Sequence, residues 1–449
     1  MFLLKSIPKV DKFVENKKFD DLASSLVLSI TQEVLQDLRQ NILKEEVKSF
    51  SEDELVDAVL QKYAKLTKPS LQKLINATGV IVHTNLGRSL VDAKTFERVK
   101  DIVTSYNNLE YDLEKGKRGE RYSHVSDVIC KLLGCEDVLI VNNNASAVFL
   151  VLNTFAKKKE VVVSRGELVE IGGSFRIPEV MKQSGAKLIE VGATNKTHLH
   201  DYEDAITKKT SMLMKVHKSN YTIEGFSSEV EFKEIVRLAR ENNLIDYYDM
   251  GSGHLVDLPY GLDQHEPSVL KYMQEKPSLL SFSGDKLLGS VQAGIIVGKK
   301  EYIAKLKKNQ LLRMLRVDKL TLAMLEDSVT SVLLNKIDEI PTLKMLFTHT
   351  DELRQNALML QDAIKDICES KIIETKTVIG GGTTPNRTIP SIALTIKIKN
   401  YKQNKIEKLF RERKIIGRIQ EDKFLLDFRA IQKNEIKQII KVVKELADV

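Results

Sequence analysis

The sequence predicts an α/β fold: a mostly parallel sheet covered by helices, with a helical domain before it and a small α+β domain after it. Three observations predict this. Residues 1–66 contain no glycine and repeat their apolar residues at helical spacing. From Leu74 onward, short β-branched runs alternate with helical patterns. Beyond Gly380-Gly381-Gly382 the texture changes again, to a period-two run, a second short strand and a last helix.

In chain order, apolar periodicity from Leu22 to Leu43 predicts one helix, and Ser51 with Glu54 forms a capping box that opens another. Lys68-Pro69-Ser70 ends it, because proline pushes the preceding residue out of the helical region. This sets a first domain at 1–68. Strands are predicted at Val138–Asn143, Val161–Ser164, Lys187–Val191, Met212–His217, Leu244–Asp249, Leu279–Ser283 and Ala293–Val297. Several spacers suffice for a right-handed crossover helix, and fully apolar strands fit a sheet covered on both faces. The large domain is therefore placed at 69–316. Residues 317–370 read as helical, with Pro341 their only proline and no glycine. Ile392–Ile398, Phe424–Phe428 and a helix at Lys433–Leu446 complete a small domain at 317–449. No internal repeat is visible.

Composition narrows the class. The chain has 449 residues, 69 basic against 62 acidic, a net charge of +7. With 42% apolar and 29% charged residues it is an ordinary globular sequence, neither disordered nor fibrous. The longest apolar run, Ala147–Leu152, is far short of the ~18 residues of a membrane span. Residues 1–18 hold only the apolar triplet Phe2–Leu4, too little for a signal-peptide core. The expectation is a soluble cytoplasmic protein. Cys130, Cys135 and Cys368 give neither a disulfide framework nor a zinc pattern, and read as small buried hydrophobes with no metal site. Between Lys397 and Arg418 there are nine basic and two acidic residues, which fits either a solvated helix face or contact with a polyanion. Residues 1–74 balance, twelve basic against twelve acidic.

Three features carry chemistry. Ser281-Phe282-Ser283-Gly284-Asp285-Lys286 leaves a strand and sets a lysine in a Ser/Gly turn, where it could form a Schiff base with an aldehyde cofactor. Taken alone, a surface lysine in a loop explains it as well. Asp249 ends an apolar strand and is followed by Gly251-Ser252-Gly253. A carboxylate buried there needs a cationic partner such as a pyridinium, unless it only caps a helix. Val141–Ala147 runs a strand into a helix through three asparagines, a shape that offers free N–H groups to a phosphate. The order of these three elements, phosphate turn, aspartate, lysine, is that of pyridoxal phosphate (PLP) enzymes with the aspartate-aminotransferase fold, called fold type I.

Longer blocks then resemble one family. Leu74–Arg88 (LINATGVIVHTNLGR), Val161–Arg176 (VVVSRGELVEIGGSFR), Val216–Phe226 (VHKSNYTIEGF), Ser283–Gly298 (SGDKLLGSVQAGIIVG), Arg313–Lys319 (RMLRVDK) and Ile416–Ile419 (IGRI) resemble the bacterial selenocysteine synthases, L-seryl-tRNA(Sec) selenium transferases. The resemblance spans essentially the whole chain. It departs at Ser290-Val291, where the family has a small residue and proline. It implies that Lys286 carries PLP and acts as general base, that Asp249 pairs with the pyridine nitrogen, and that Asn143, Asn144, Ala145 and Ser146 with Ser283 cradle the phosphate. It implies Arg88, Arg313 and Arg316 for selenophosphate, the arginine fork suiting phosphate oxygens, with His83 and Arg121 as further candidates. Arg313 and Arg316, three apart, could equally be an exposed helix face, His83 a core histidine, and Arg121 one of several basic loop residues. The implied reaction converts seryl-tRNA(Sec) to selenocysteinyl-tRNA(Sec) by loss of hydroxide and addition of selenium. The implied partners are tRNA(Sec), bound by the helical domain, selenophosphate, and further copies of the chain in a dimer-based ring such as a decamer.

Two other readings compete. A PLP-dependent lyase acting on a small amino acid or amino sugar acid would share the core but tend to lack the helical domain. A non-catalytic tRNA-binding protein would not need Lys286, Asp249 and the arginines.

Overall fold

The computed structural model describes residues 2–168, 170–171, 175–264 and 266–447, so residues 169 and 172–174 of the Val161–Arg176 block lie outside the described residues. The chain forms two compact units, Met1–Leu74 and Ile75–Val449. In the first, helices Ser24–Leu43 and Glu52–Thr67 pack around Phe13, Phe19, Ile30, Val34, Val56 and Val59. The capping box is present: Ser51 Oγ accepts the Glu54 N–H at 3.2 Å, and a Glu54 oxygen accepts the Ser51 N–H at 2.8 Å. Lys68 is extended, as the residue before proline must be.

The second unit is built on a seven-stranded sheet. Its strands are β1 Asp137–Val141, β2 Glu160–Ser164, β3 Lys187–Val191, β4 Thr210–Val216, β5 Ile245–Gly251, β6 Leu279–Ser283 and β7 Gly294–Gly298. They lie side by side in the order β1-β7-β6-β5-β4-β2-β3. Only β7 runs against its neighbours; every other pairing is parallel. All residues of β2, β6 and β7 are buried, as strands covered on both faces should be. The parallel strands point their carboxyl ends to one edge, where sheets of this kind bind ligands.

A second sheet, β8 Glu369–Thr377, β9 Ile389–Lys397, β10 Arg418–Gln420 and β11 Lys423–Asp427, is ordered β8-β9-β11-β10. Helices Thr350–Ile364, Gln403–Glu412 and Ile436–Ala447 cover it through Leu360, Phe410 and Ile439. The expected boundaries of the small domain need correction. Helix Lys319–Leu333 places Leu322, Leu325, Val329 and Val332 in the core of the seven-stranded sheet, so residue 317 does not open a new domain. Ile75 and Ala77, expected in the large domain, belong to the second core, because Ile75–Asn76 pairs in parallel with Ile415–Ile416. The helical stretch expected to reach residue 370 is also shorter, since β8 begins at Glu369.

Within the basic run, Ile406 and Phe410 are buried and most lysines are exposed, the pattern of an amphipathic surface helix. Arg418 instead turns inward to Asp427, at 2.8 Å. No helix among the described residues is long and apolar enough to cross a membrane. The reassigned helix gives a direct expectation. Leu325→Ala, which empties a fully buried position, should cost ~2–5 kcal/mol of stability, read as a lower urea midpoint of the larger unit. A change below ~0.5 kcal/mol would return this helix to the periphery.

Candidate active site

The residues that the sequence set apart meet at the carboxyl edge of the sheet. A cavity of about 260 Å³ is lined by Asn143, Asn144, Ala145, Asp249, Ser283 and Lys286, together with Arg88, His217, Ser219, Asp285 and Gln292. Asn143 ends the turn after β1. Its side chain accepts the Ser146 N–H at 2.8 Å and so caps helix Asn144–Phe155. Ser146 is thereby engaged in the cap and does not line the cavity. The turn is clamped from two sides. The Asn142 N–H donates to the Leu315 carbonyl at 2.9 Å, and a Cβ on Gly294 of β7 would lie 2.2 Å from the Asn143 carbonyl oxygen.

Asp249 is buried at the end of β5 and takes a 2.7 Å hydrogen bond from Asn144 Nδ2. Burial pushes its carboxyl up to about 6, with the Asn144 bond and the nearby Lys286 opposing that rise. Lys286 is buried too. A Cβ on Gly251 would be 4.0 Å from its Nζ and 3.9 Å from Ser219 Oγ, which places amine, hydroxyl and strand end together. Burial lowers the Lys286 pKa; Asp249 works against this and Arg88 adds to it.

The arginines separate. Arg88 reaches the Lys286 cavity, but its guanidinium is held 2.7 Å from Asp285, and its own backbone is left-handed at φ +62°. His83 does not line this cavity. Its Nδ1 accepts the Asn85 N–H at 3.2 Å, and its carbonyl accepts the Arg88 N–H, so it shapes the loop that carries Arg88. Arg121, Arg313 and Arg316 line a different cavity, of about 360 Å³. The expected pair one turn apart on a helix is not formed: the helix is the four-residue Leu312–Leu315, and Arg316 comes after it in extended backbone. Arg121 donates to Glu110 at 2.7 Å and to the Val317 carbonyl at 2.6 Å. Arg316 stands 3.7 Å from Glu110, while the Arg313 guanidinium has no partner among the described residues.

Sequence reasoning missed four residues. Asp285 stands beside the lysine in the Ser281–Lys286 turn, and His217 closes a predicted strand, so both carry a positional signal. Ser219 and Gln292 have no positional signal of their own and lie only within the resemblance blocks Val216–Phe226 and Ser283–Gly298. His217 N–H donates to the Asp249 carbonyl at 2.9 Å, while its Nδ1 and Ser219 Oγ have no partner among the described residues.

A buried aspartate, a buried lysine and a helix-start turn on one sheet edge, in this strand order, define a PLP-dependent enzyme of fold type I. The residues fit that cofactor: a carboxylate for a protonated ring nitrogen, an amine for its aldehyde, and turn N–H groups for its phosphate. The fold is shared with D-glucosaminate-6-phosphate ammonia-lyase, whose structure superposes with a TM-score of 0.61 at 19% identity over 86% of this chain and 98% of that one. The family model SelA, L-seryl-tRNA selenium transferase, matches residues 74–432. A curated L-seryl-tRNA(Sec) selenium transferase of Sulfurimonas denitrificans is 82% identical over 449 residues, 100% of both chains. Another, of Aliarcobacter butzleri, is 62% identical over 99% of both. The chain belongs to the L-seryl-tRNA selenium transferase family, PLP-dependent enzymes that convert seryl-tRNA(Sec) to selenocysteinyl-tRNA(Sec).

The raised Asp249 carboxyl has a testable sign. Its folded value, about 6, lies above the ordinary ~3.9, so the stability that it favours is complete below ~3.9 and lost as pH rises through about 6. In cofactor-free protein Asp249→Asn should therefore stabilise at pH 7 by about 3 kcal/mol and at pH 4 by only about 0.5 kcal/mol. Denaturant midpoints at the two pH values check it; equal shifts at both would contradict the assigned cause.

Proposed function

We propose that Lys286 and Asp249 are the centre of this chemistry in the present chain. The observation that carries the reading is their joint burial against one cavity with the Asn143–Ala145 turn. When bound there, PLP supplies an electron-accepting ring that lets bonds at the seryl Cα and Cβ break. Asp249 holds the ring nitrogen's proton, and Asn144 holds Asp249. The turn and Ser283 take the phosphate. Lys286 fixes the cofactor. With the cofactor bound, the Lys286 amine would take the proton from the seryl Cα, a role suited to an amine whose pKa is lowered by burial. The Cβ–O bond breaks, and the departing hydroxide leaves as water once protonated. Selenium from selenophosphate then bonds to Cβ, its bond to phosphorus is hydrolysed to phosphate, and Lys286 returns the proton to Cα.

The arginine cavity suits the donor. Six cationic side chains line it against two anionic ones, and Arg313 keeps its donors free among the described residues. Within one chain its lining residues are distinct from those at Lys286, except through the Asn142–Leu315 hydrogen bond that connects their neighbours. In the dimer-based ring that the family resemblance implies, sites shared between copies would bring such a cavity to a second chain's lysine. The Met1–Leu74 unit has its own core, consistent with a separate tRNA-binding domain. A cytoplasmic location matches a charged-tRNA substrate.

Two outcomes test the assignments. Lys286→Ala should lose both the borohydride-reducible cofactor adduct and turnover; covalent labelling that persists at another lysine would remove the assignment. Arg313→Ala should raise the selenophosphate needed for half-maximal rate by one to two decades, the value of a lost charged hydrogen bond at ~1.5–3 kcal/mol. Release of water from seryl-tRNA should be spared. If that first step fails while selenophosphate saturation is unchanged, Arg313 serves the tRNA instead.

A further inference from the structure

Next to the Lys286 cavity lies a larger one, of about 470 Å³, and His217 lines both. Its walls are the ends of β2 and β4, the segment Tyr221–Glu229 and the loop Thr384–Arg387. Its two lysines are paired internally. Lys215 Nζ lies 3.0 Å from Glu167 and donates to the Val230 carbonyl at 2.9 Å; Lys218 lies 2.8 Å from Glu229. Three cationic and four anionic side chains line the space, whereas the arginine cavity has six against two. It offers no excess positive charge to a phosphate or to the selenium donor.

What it offers is neutral and polar. The Tyr221 ring lines it, its hydroxyl donating to the Gly166 carbonyl, with the amides of Asn195, whose Nδ2 donates to the Phe226 carbonyl, and Asn386, and the hydroxyl of Thr222. Asn386 Nδ2 donates to Thr222 Oγ1 at 2.7 Å and so ties the two walls. Thr384 and Asn386 hold left-handed backbone at φ +43° and +58°, strain of a kind that collects in ligand-contacting loops. In the wall toward Lys286, His217 Nδ1, Glu266 Oε1 and Thr384 Oγ1 are buried without a partner among the described residues. Such groups are costly unless something pairs them.

We propose that this cavity receives the 3′-terminal nucleoside of the acylated tRNA, the uncharged ribose and base that carry the seryl ester. The inference rests on the reading that seryl-tRNA is the substrate. The ester puts the ribose only a few bonds from the seryl Cα, so a serine at Lys286 forces the nucleoside into adjoining space. A second adjoining cavity, at Arg88 and Asp285, is lined by a charged pair. The His217 cavity instead combines an aromatic side chain with amide and hydroxyl groups, the chemistry that recognises unstacked bases.

The test is photocrosslinking of the full-length, cofactor-loaded protein with seryl-tRNA whose terminal adenosine carries a 2-azido group. Labelled peptides should map to residues 194–229 or 384–387. Normal turnover with labelling at residues 84–91 or 292, or none in the two expected segments, overturns the proposal. Thr222→Trp, an exposed position whose larger side chain would fill the cavity, should raise the KM for seryl-tRNA at least tenfold. The KM for selenophosphate and the bound cofactor's absorbance should not change. An unchanged KM for seryl-tRNA also overturns it. If the native protein does not turn over seryl-tRNA at all, the functional reading falls first, and that outcome is distinct from a subsite placed wrongly.

Discussion

A single buried carboxylate sets the arrangement of the site. Asp249 sits opposite Val216 of β4 and Ser281 of β6 in the parallel ladder. Fixing it therefore fixes the next residues of both neighbouring strands: His217, whose N–H it accepts through its backbone, and the turn through Ser283 to Lys286. Asn144, from the turn after β1, completes the set through the 2.7 Å hydrogen bond to the carboxylate. Burying an ionised group without compensation costs several kcal/mol. One amide and one nearby amine offset part of that cost, and a cationic ring would supply the remainder. The strand order matters because it brings β1 to the same edge as β5 and β6 through the antiparallel β7. Gly294 on β7 can lie against the Asn143 carbonyl only because it lacks a side chain.

Much of this was legible in the sequence, for reasons of period and position. The seven predicted runs became seven strands: the interior ones are mostly apolar because strands covered on both faces must be, while the edge strand β3 keeps Lys187 and Glu190 exposed. Asp249 and Lys286 stood out because polar residues at the ends of such runs face the ligand edge. The domain limits were less legible. Ile75–Asn76 is too short to announce a strand, and its partner Ile415–Ile416 lies at the other end of the chain. Helix Lys319–Leu333 has an apolar face that would suit either core, and nothing local decides which. The shared helix face expected for Arg313 and Arg316 is absent for another reason. Helical spacing implies a shared face only inside a helix, and Asp318 caps the next helix by accepting the Thr321 N–H, which leaves Arg316 in the extended link between two helices.

Charge distribution then separates the cavities. The arginine cavity is cationic although Glu110 engages Arg121, Arg118 and Arg316, because the remaining side chains are left with excess positive charge. The cavity beyond His217 is close to neutral because Glu167 and Glu229 take up Lys215 and Lys218. A small anionic donor and an uncharged nucleoside would thus be sorted by local electrostatics before any specific contact is made.

The Lys286 cavity lies between these extremes, and its balance bears on how the lysine works. An amine that must both hold an aldehyde and take up a proton needs a pKa below its ordinary value, yet not so low that it fails as a base. Burial and Arg88 lower the Lys286 pKa, while Asp249, Asp285 and Glu266 raise it. Asp285 has a double effect. It opposes Arg88 at the lysine electrostatically, and it holds the guanidinium at 2.7 Å. An anion arriving at Arg88 would have to compete with that carboxylate. Arg88 therefore bears first on the basicity of Lys286, whereas the Arg313 donors have no internal partner among the described residues.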